Sequence, residues 1–299
     1  MEKAHLDDRT TEVNRLLIHY RVAGSGPPLL LLHGLGESGL DWQWVIPTFV
    51  HTHRIYALDL PGSGESAKPA TDYTPAFFTR MVIGFLDALK IEQALVIGNS
   101  LGGLIALRLA FYRPERVRAL VLVDSTGLGR EVSLSLRTAS LPVWGELAIA
   151  WHQTPIGAWQ RVWERVVELF AWAPHVPAAW QWEQYWLAQC PGFLPATLAA
   201  LRGTVDVFGQ REVLLEQLPR LAMPTLVVWG EHDSVFPLSQ AREAVARLSR
   251  GRLAVIPGAG HMPHIEQPEQ FVDTVCPFLA EARSSAVACS QTSLEFLHT

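Results

Sequence analysis

Along most of the chain, short apolar runs alternate with longer stretches of mixed apolar and polar residues. Residues 15–22, 29–32, 54–58 and 95–97 have the length and composition of strands, and 117–123 is an unbroken apolar run of the kind a strand shows when both faces are buried. Between them, residues 41–50 read as a helix weakened at Pro47, and 74–89 as an amphipathic helix with Pro75 accommodated in its first turn. Residues 101–112 read as a helix rich in Leu and Ala that stops at Arg113-Pro114. The same rhythm returns late, with strands at 225–229 and 253–256 and helices at 238–248 and 268–280. Strands separated by helices predict an α/β fold, a mostly parallel sheet with helices on both faces.

Residues 128–213 interrupt this rhythm. They contain no convincing strand, and prolines at 142, 155, 174, 177, 191 and 195 divide them into short helical pieces. Eight of the eleven tryptophans fall here: Trp144, Trp151, Trp159, Trp163, Trp172, Trp180, Trp182 and Trp186. The expected organisation is a core formed by 1–127 and 214–282, a helical cap at 128–213, and a small, polar, flexible tail at 283–299. About two-thirds of the cap tryptophans are expected to pack the cap itself and the rest to face a pocket.

Composition narrows the function. Hydrophobic residues make up 49% of the 299 and charged residues 18%, enough apolar mass for a core and too much for a disordered chain. The net charge of −5, with no basic run, argues against nucleic acid as a partner. Cys190, Cys276 and Cys289 are too few and too scattered for a disulfide framework or a structural zinc site. Seven ionisable side chains in residues 1–13 (Glu2, Lys3, His5, Asp7, Asp8, Arg9, Glu12) leave no apolar leader segment, and the apolar run at 29–32 is far short of the ~20 residues of a membrane span. A cytoplasmic protein without stable membrane insertion is expected.

One segment carries a nucleophile signal. Gly98-Asn99-Ser100-Leu101-Gly102-Gly103 follows a predicted strand and opens a predicted helix, the strand-turn-helix context that a nucleophile elbow requires. Gly98 and Gly102 remove side chains that would clash in so tight a turn. A serine hydroxyl needs a base, and the base needs an orienting acid. His261, in Pro257-Gly258-Ala259-Gly260-His261, lies just past the last predicted strand and is preferred over His264, which reads as structural; His51 and His53 read as solvated loop residues. Asp233, in Gly230-Glu231-His232-Asp233, ends the preceding strand and is preferred over its rival Asp124. For an oxyanion, the backbone N–H groups of Leu35 and Leu101 are the candidate donors, with His33 holding the turn at Gly34. Asp59-Leu60-Pro61-Gly62-Ser63-Gly64-Glu65-Ser66 lacks the Gly-Lys-Ser/Thr ending of a phosphate loop and reads as structural.

Taken together and in this order, His33-Gly34, the 59–66 loop, the elbow around Ser100, Gly230-Glu231-His232-Asp233 and Gly260-His261 resemble the α/β-hydrolase family. The resemblance implies a sheet of about eight strands with a helical cap inserted after the sixth. Asn99 and Gly102-Gly103 are similar to a bacterial esterase/lipase branch, and also to the C–C bond hydrolases of aromatic-ring degradation. An aspartate nucleophile, as in dehalogenases and epoxide hydrolases of this fold, is excluded by Ser100. The expected function is a carboxylic ester hydrolase working through an acyl-enzyme on an apolar ester, with no metal or organic cofactor. Two alternatives are a C–C bond hydrolase of ring-cleavage products and a hydrolase-fold ligand-binding protein without turnover. The C–C hydrolases usually carry a tryptophan after the catalytic histidine and a cap arginine for the substrate carboxylate. Here Met262 follows His261, and Arg161 and Arg165 alternate with Glu164 and Glu168 at helical spacing, which predicts a solvated charged face and leaves Arg202 near the cap end.

Overall fold

Leu29 and Leu31 pack on one side of the sheet, and Leu30 and Leu32 on the other. The same split divides Leu95 and Ile97 from Val96, and Val121 and Val123 from Leu120 and Leu122. A period of two with both faces covered explains why these strands read as unbroken apolar runs. The structure, a computed structural model, describes the backbone of residues 6–295 and the side chains of residues 6–284. Glu2, Lys3 and His5, and the side chain of Cys289, lie outside the described residues.

Eight strands form the main sheet: β1 (Asp7–Val13), β2 (Leu16–Ala23), β3 (Pro28–Leu32), β4 (Arg54–Leu58), β5 (Ala94–Asn99), β6 (Val117–Val123), β9 (Thr225–Gly230) and β10 (Gly251–Ile256). A two-residue ribbon, β7 (Val205–Asp206) and β8 (Gly209–Gln210), stands apart from it. The main order is β1-β2-β4-β3-β5-β6-β9-β10; β1 pairs with β2 and β2 with β4 antiparallel, and every other neighbour is parallel. The mostly parallel sheet inferred from the sequence is what forms. Strand β1 escapes the apolar pattern because nearly all of it faces solvent, and it turns into β2 through Asn14 and Arg15, both at positive φ.

Helices α2 (Pro75–Ala88), α3 (Leu101–Tyr112) and α9 (Leu238–Arg247) cover one face, and the single turn α1 (Ile46–Phe49) and α11 cover the other. The expected helix at 41–50 is in fact a 3-10 turn, Gly39–Trp42, followed by α1, with a break between them before Pro47. Helix α11 spans Pro268–Glu295, so the segment expected to be a tail begins as a continuation of that helix. Between β6 and β9 lie five cap helices: α4 (Leu134–Ala139), α5 (Trp144–His152), α6 (Pro155–Leu169), α7 (Ala178–Gln189) and α8 (Phe193–Thr204). Val162, Val166, Leu169, Trp180 and Leu201 from the cap join the same apolar cluster as α2 and α3, so the cap sits on that side of the sheet. A last single turn, α10 (Pro263–Glu266), precedes α11. No described helix is long and apolar enough to cross a membrane.

The cap tryptophans correct one expectation. Trp180 alone of the eight is buried; the other seven are exposed on the outer surface of the cap, and none lines a cavity at the site. The inward positions of this thin layer are already filled by Val, Leu, Ala and two arginines, which leaves no inner volume for seven indoles.

Candidate active site

Ser100 sits at the turn from β5 into α3 with φ 51° and ψ −116°, a strained conformation for a residue with a side chain. Its backbone is held on both sides: its N–H donates to Val123 O at 2.9 Å, and its carbonyl accepts from Gly103 at 2.9 Å and Thr126 at 3.1 Å. The turn is tight enough that a Cβ on Gly98 would stand 2.3 Å from Gly102 O, and one on Gly102 would stand 2.3 Å from Leu32 O. These two contacts explain the glycines that flank the serine.

Asp233 lies on the loop after β9, and His261 on the loop after β10. His261 Nδ1 meets Asp233 Oδ2 at 3.0 Å, both side chains almost fully buried. The second Asp233 oxygen accepts from Val235 N at 2.8 Å and Phe236 N at 3.2 Å, which fixes the carboxylate. Ser100 and His261 line one cavity of about 30 Å³, with Leu35, Arg165 and Met262 on its walls. No hydrogen bond joins Ser100 Oγ to His261 among the described residues. A neighbouring cavity of about 10 Å³ is lined by Leu35, Leu101, Phe78 and Ala196. Such volumes hold about one or two waters.

Asp124, the rival acid, reaches the same place with different partners. Its side chain lies with those of Asp233 and His261 in a cluster whose polar atoms are within 4.8 Å of one another. It spends Oδ1 on Gly230 N at 2.8 Å, while Oδ2 is buried without a partner. Burial, and then the Asp233 charge, push its carboxyl well above the usual carboxylate range.

Of the expected oxyanion donors, Leu35 follows Gly34 after β3 and lines the cavity with Ser100, and Leu101 opens α3 directly after Ser100. Neither amide donates to another group among the described residues. A Cβ at Gly34 would stand 3.0 Å from Asn99 Oδ1, so this approach tolerates little more than glycine. His33 holds the turn as expected: its Nε2 accepts from Leu60 N at 2.9 Å, which leaves Nδ1 to donate to Gly34 O at 2.8 Å. Burial lowers its pKa and keeps it neutral. Asp59 anchors its loop by accepting from Gly39 N at 2.7 Å and Glu65 N at 3.0 Å and by pairing with His19 at 2.8 Å. His19, Asp8 and Glu65 form the other cluster with metal-ligand chemistry, but both His19 nitrogens are already engaged, by Asp59 and Asp8.

Two arginines overturn the solvated-face reading. Arg161 and Arg165 project inward from α6: Arg161 Nη2 donates to Gly36 O at 3.2 Å, and Arg165 Nη2 donates to Leu35 O at 3.2 Å and pairs closely with Glu37. The spacing that suggested pairing along the helix instead aims both cations at the carbonyls of the loop bearing Leu35. Burial brings both down to about 10, so they remain charged at neutral pH. Arg165 Nε is buried without a partner. Arg202 is outside the site, held by Glu146. His53 is buried and bonded to Thr52 Oγ1 at 2.8 Å, where a solvated loop residue was expected. His264 is structural: it stacks on Trp42 at 4.2 Å, and burial, with the nearby His261, lowers it to about 3.

Two side chains were not singled out in the sequence. Glu37 bridges Arg165 and Gln184 Nε2 (3.1 Å) under the cap. Glu266 accepts from the amides of Gly260 (2.8 Å), Ala171 (3.1 Å) and Trp172 (2.8 Å), tying the histidine loop to the cap. Asn99, noted in the sequence beside the serine, donates from Nδ2 to His261 O at 3.2 Å. A lone carboxylate in a Gly-rich apolar loop is the signal that would have pointed to Glu37; nothing local marks Glu266.

Among known proteins, a 2-hydroxymuconate semialdehyde hydrolase of Pseudomonas sp. strain CF600 is 33% identical over 275 residues, 89% of this chain and 91% of its own. The hydrolase of the same name from Pseudomonas putida is 34% identical over 267 residues, 87% and 89% respectively. Among solved structures, a meta-cleavage product hydrolase of Pseudomonas fluorescens IP01 is similar with a TM-score of 0.78 at 25% identity, covering 92% of this chain and 98% of that one. These likenesses correct the expectation of a carboxylic ester hydrolase, an esterase or lipase with an apolar ester as its partner, because these three proteins are named for 2-hydroxymuconate semialdehyde and a meta-cleavage product and not for an ester. The resemblance read from the elbow, the acid and the histidine holds at the level of the whole chain: the family described by the alpha/beta hydrolase fold matches residues 27–268, and this protein belongs to it.

Proposed function

We propose that this protein hydrolyses a C–C bond in a ring-opened aromatic dienoate, with Ser100 as nucleophile, His261 as base and Asp233 as its orienter. The observation that carries this reading is Arg165, a cap guanidinium on the wall of the cavity that Ser100 and His261 share, with an unpartnered Nε. A dienoate carries a carboxylate for such a cation; a simple apolar ester carries none. The likeness to the Pseudomonas hydrolases supports the same reading.

The chemistry follows from the geometry. The dienoate reacts as its keto tautomer, in which the 2-hydroxyl proton has moved to the carbon beside the scissile carbonyl. Ser100 Oγ adds to that carbonyl carbon while His261 accepts its proton, and the Leu35 and Leu101 amides hold the oxyanion. Collapse breaks the adjacent C–C bond. Its electron pair runs through the enone to the oxygen at the carboxylate end, which takes the proton from His261 and leaves a new dienol. Water, deprotonated by His261, then releases the acyl group from Ser100 as an acid. Met262, in place of the tryptophan usual after the histidine, gives that wall a flexible thioether surface. A cytoplasmic location is part of the proposal, supported by the free thiols Cys190 and Cys276.

The test compares loss of 2-hydroxymuconate semialdehyde absorbance with release of p-nitrophenol from p-nitrophenyl butyrate. The dienoate is expected to win in kcat/KM by ~100-fold or more. Arg165→Ala should raise the dienoate KM by ~10- to 100-fold, the worth of a charge-assisted contact, and leave the ester KM nearly unchanged. Ester turnover without dienoate turnover would overturn the assignment.

A further inference from the structure

Helix α6 is apolar on both sides. Its inward side carries Ala158, Val162, Val166 and Leu169 with Arg161 and Arg165 among them, and its exposed side carries Ile156, Trp159, Trp163 and Val167 at spacings of three and four. The exposed side of α7 continues the pattern with Trp182 and Trp186. The two stripes join: the Trp159 ring packs on Trp182 at 4.8 Å and stacks on Tyr185 at 5.0 Å. Fifteen of the seventeen exposed large hydrophobic residues among the described ones lie between positions 134 and 213, so the exposed apolar surface is concentrated in the cap.

We infer that this face is the docking surface for a second copy of the chain, cap against cap about a two-fold axis. Area supports it. At ~250 Å² for a whole indole, the four tryptophans of α6 and α7 expose on the order of 500 Å². Ile156 and Val167 bring the face toward the ~800 Å² that one partner contributes to a stable interface. Composition supports it too, since tryptophan is enriched and lysine depleted at the centre of protein interfaces. A lipid surface fits less well. Residues 128–213 contain no lysine, the α6 arginines point inward, and Glu164 stands on the outer side, so an anionic bilayer would meet no cation there.

Sedimentation velocity on the full chain at micromolar concentration is expected to show a dimer. The double variant Trp163→Glu/Trp186→Glu should sediment as a monomer with unchanged circular dichroism, its self-association weakened by ~100-fold or more. If that variant fails to fold, Trp163→Gln/Trp186→Gln replaces it with the same expectation. Tyr112→Glu, which alters an exposed aromatic on α3, should remain a dimer. A monomeric wild type, a double variant that stays dimeric, or flotation of monomeric wild type with vesicles of phosphatidylcholine and phosphatidylglycerol would each overturn the proposal.

Discussion

Two buried carboxyls stand beside one imidazole, and their different environments separate their roles. Asp233 accepts from two amides and pairs with His261 Nδ1, so both of its oxygens are held. Asp124 accepts from one amide and has a bare, buried oxygen, and burial raises its carboxyl above the usual range. Steady-state kinetics should therefore distinguish them. Asp233→Asn is expected to cost ~10⁴-fold in kcat through the wrong imidazole tautomer. Asp124→Asn, which keeps an acceptor for Gly230 N in a side chain of similar shape that does not touch His261 Nδ1, is expected to stay within about tenfold of wild type. A large loss from Asp124→Asn with little from Asp233→Asn would reverse the roles.

At the scale of elements, the contact that closes the site is between α7 and the loop that precedes α1. Trp180 Nε1 donates to Asp41 Oδ1 at 3.1 Å, Gln184 reaches Glu37, and Ser38 donates to Glu183. Burial, and then the Asp41 charge, raise Glu183 to about 8, and burial also drives Asp41 well above the usual carboxylate range. The folded chain thus keeps the Glu183 proton from 4.5, its ordinary value, up to about 8, where the unfolded chain has lost it. Binding more protons in the folded state means that stability falls as pH rises through that window. Glu183→Gln retains an acceptor for Ser38 without a titrating group. Its melting temperature should decline less than wild type between about pH 5 and about pH 8; parallel pH profiles would refute this origin.

For the whole molecule, the loops that carry Ser100, Asp233 and His261 leave the C-terminal ends of adjacent parallel strands, β5, β9 and β10 with β6 between, as open parallel sheets place their sites. The cap is linked to that edge at the histidine loop: His261 N donates to Leu169 O at 2.8 Å, and Glu266 gathers amides from both sides. Glu266→Ala strands three donors at once. It should destabilise the fold by about 2–3 kcal/mol and lower kcat, with faster amide exchange at both 171–172 and 260–261. Loss of stability without the change at 260–261 would separate the cap from the histidine loop.

The order of strands and helices, the elbow at Ser100 and the acid and histidine loops could be read from the chain, because a doubly covered sheet demands continuous apolar strands and a sharp strand-to-helix turn demands glycine at fixed offsets. Strand β1 could not, since an edge strand with one wet side carries little apolar pattern. Nor could the directions of Arg161 and Arg165 or of the seven outer tryptophans. Helical spacing shows which residues share a face, but which face turns inward depends on what lies opposite. Here the carbonyls of Leu35 and Gly36 and the carboxylate of Glu37 give buried guanidinium groups their partners. That pairing, which joins residues about 130 positions apart, was decided only when the cap folded over the sheet.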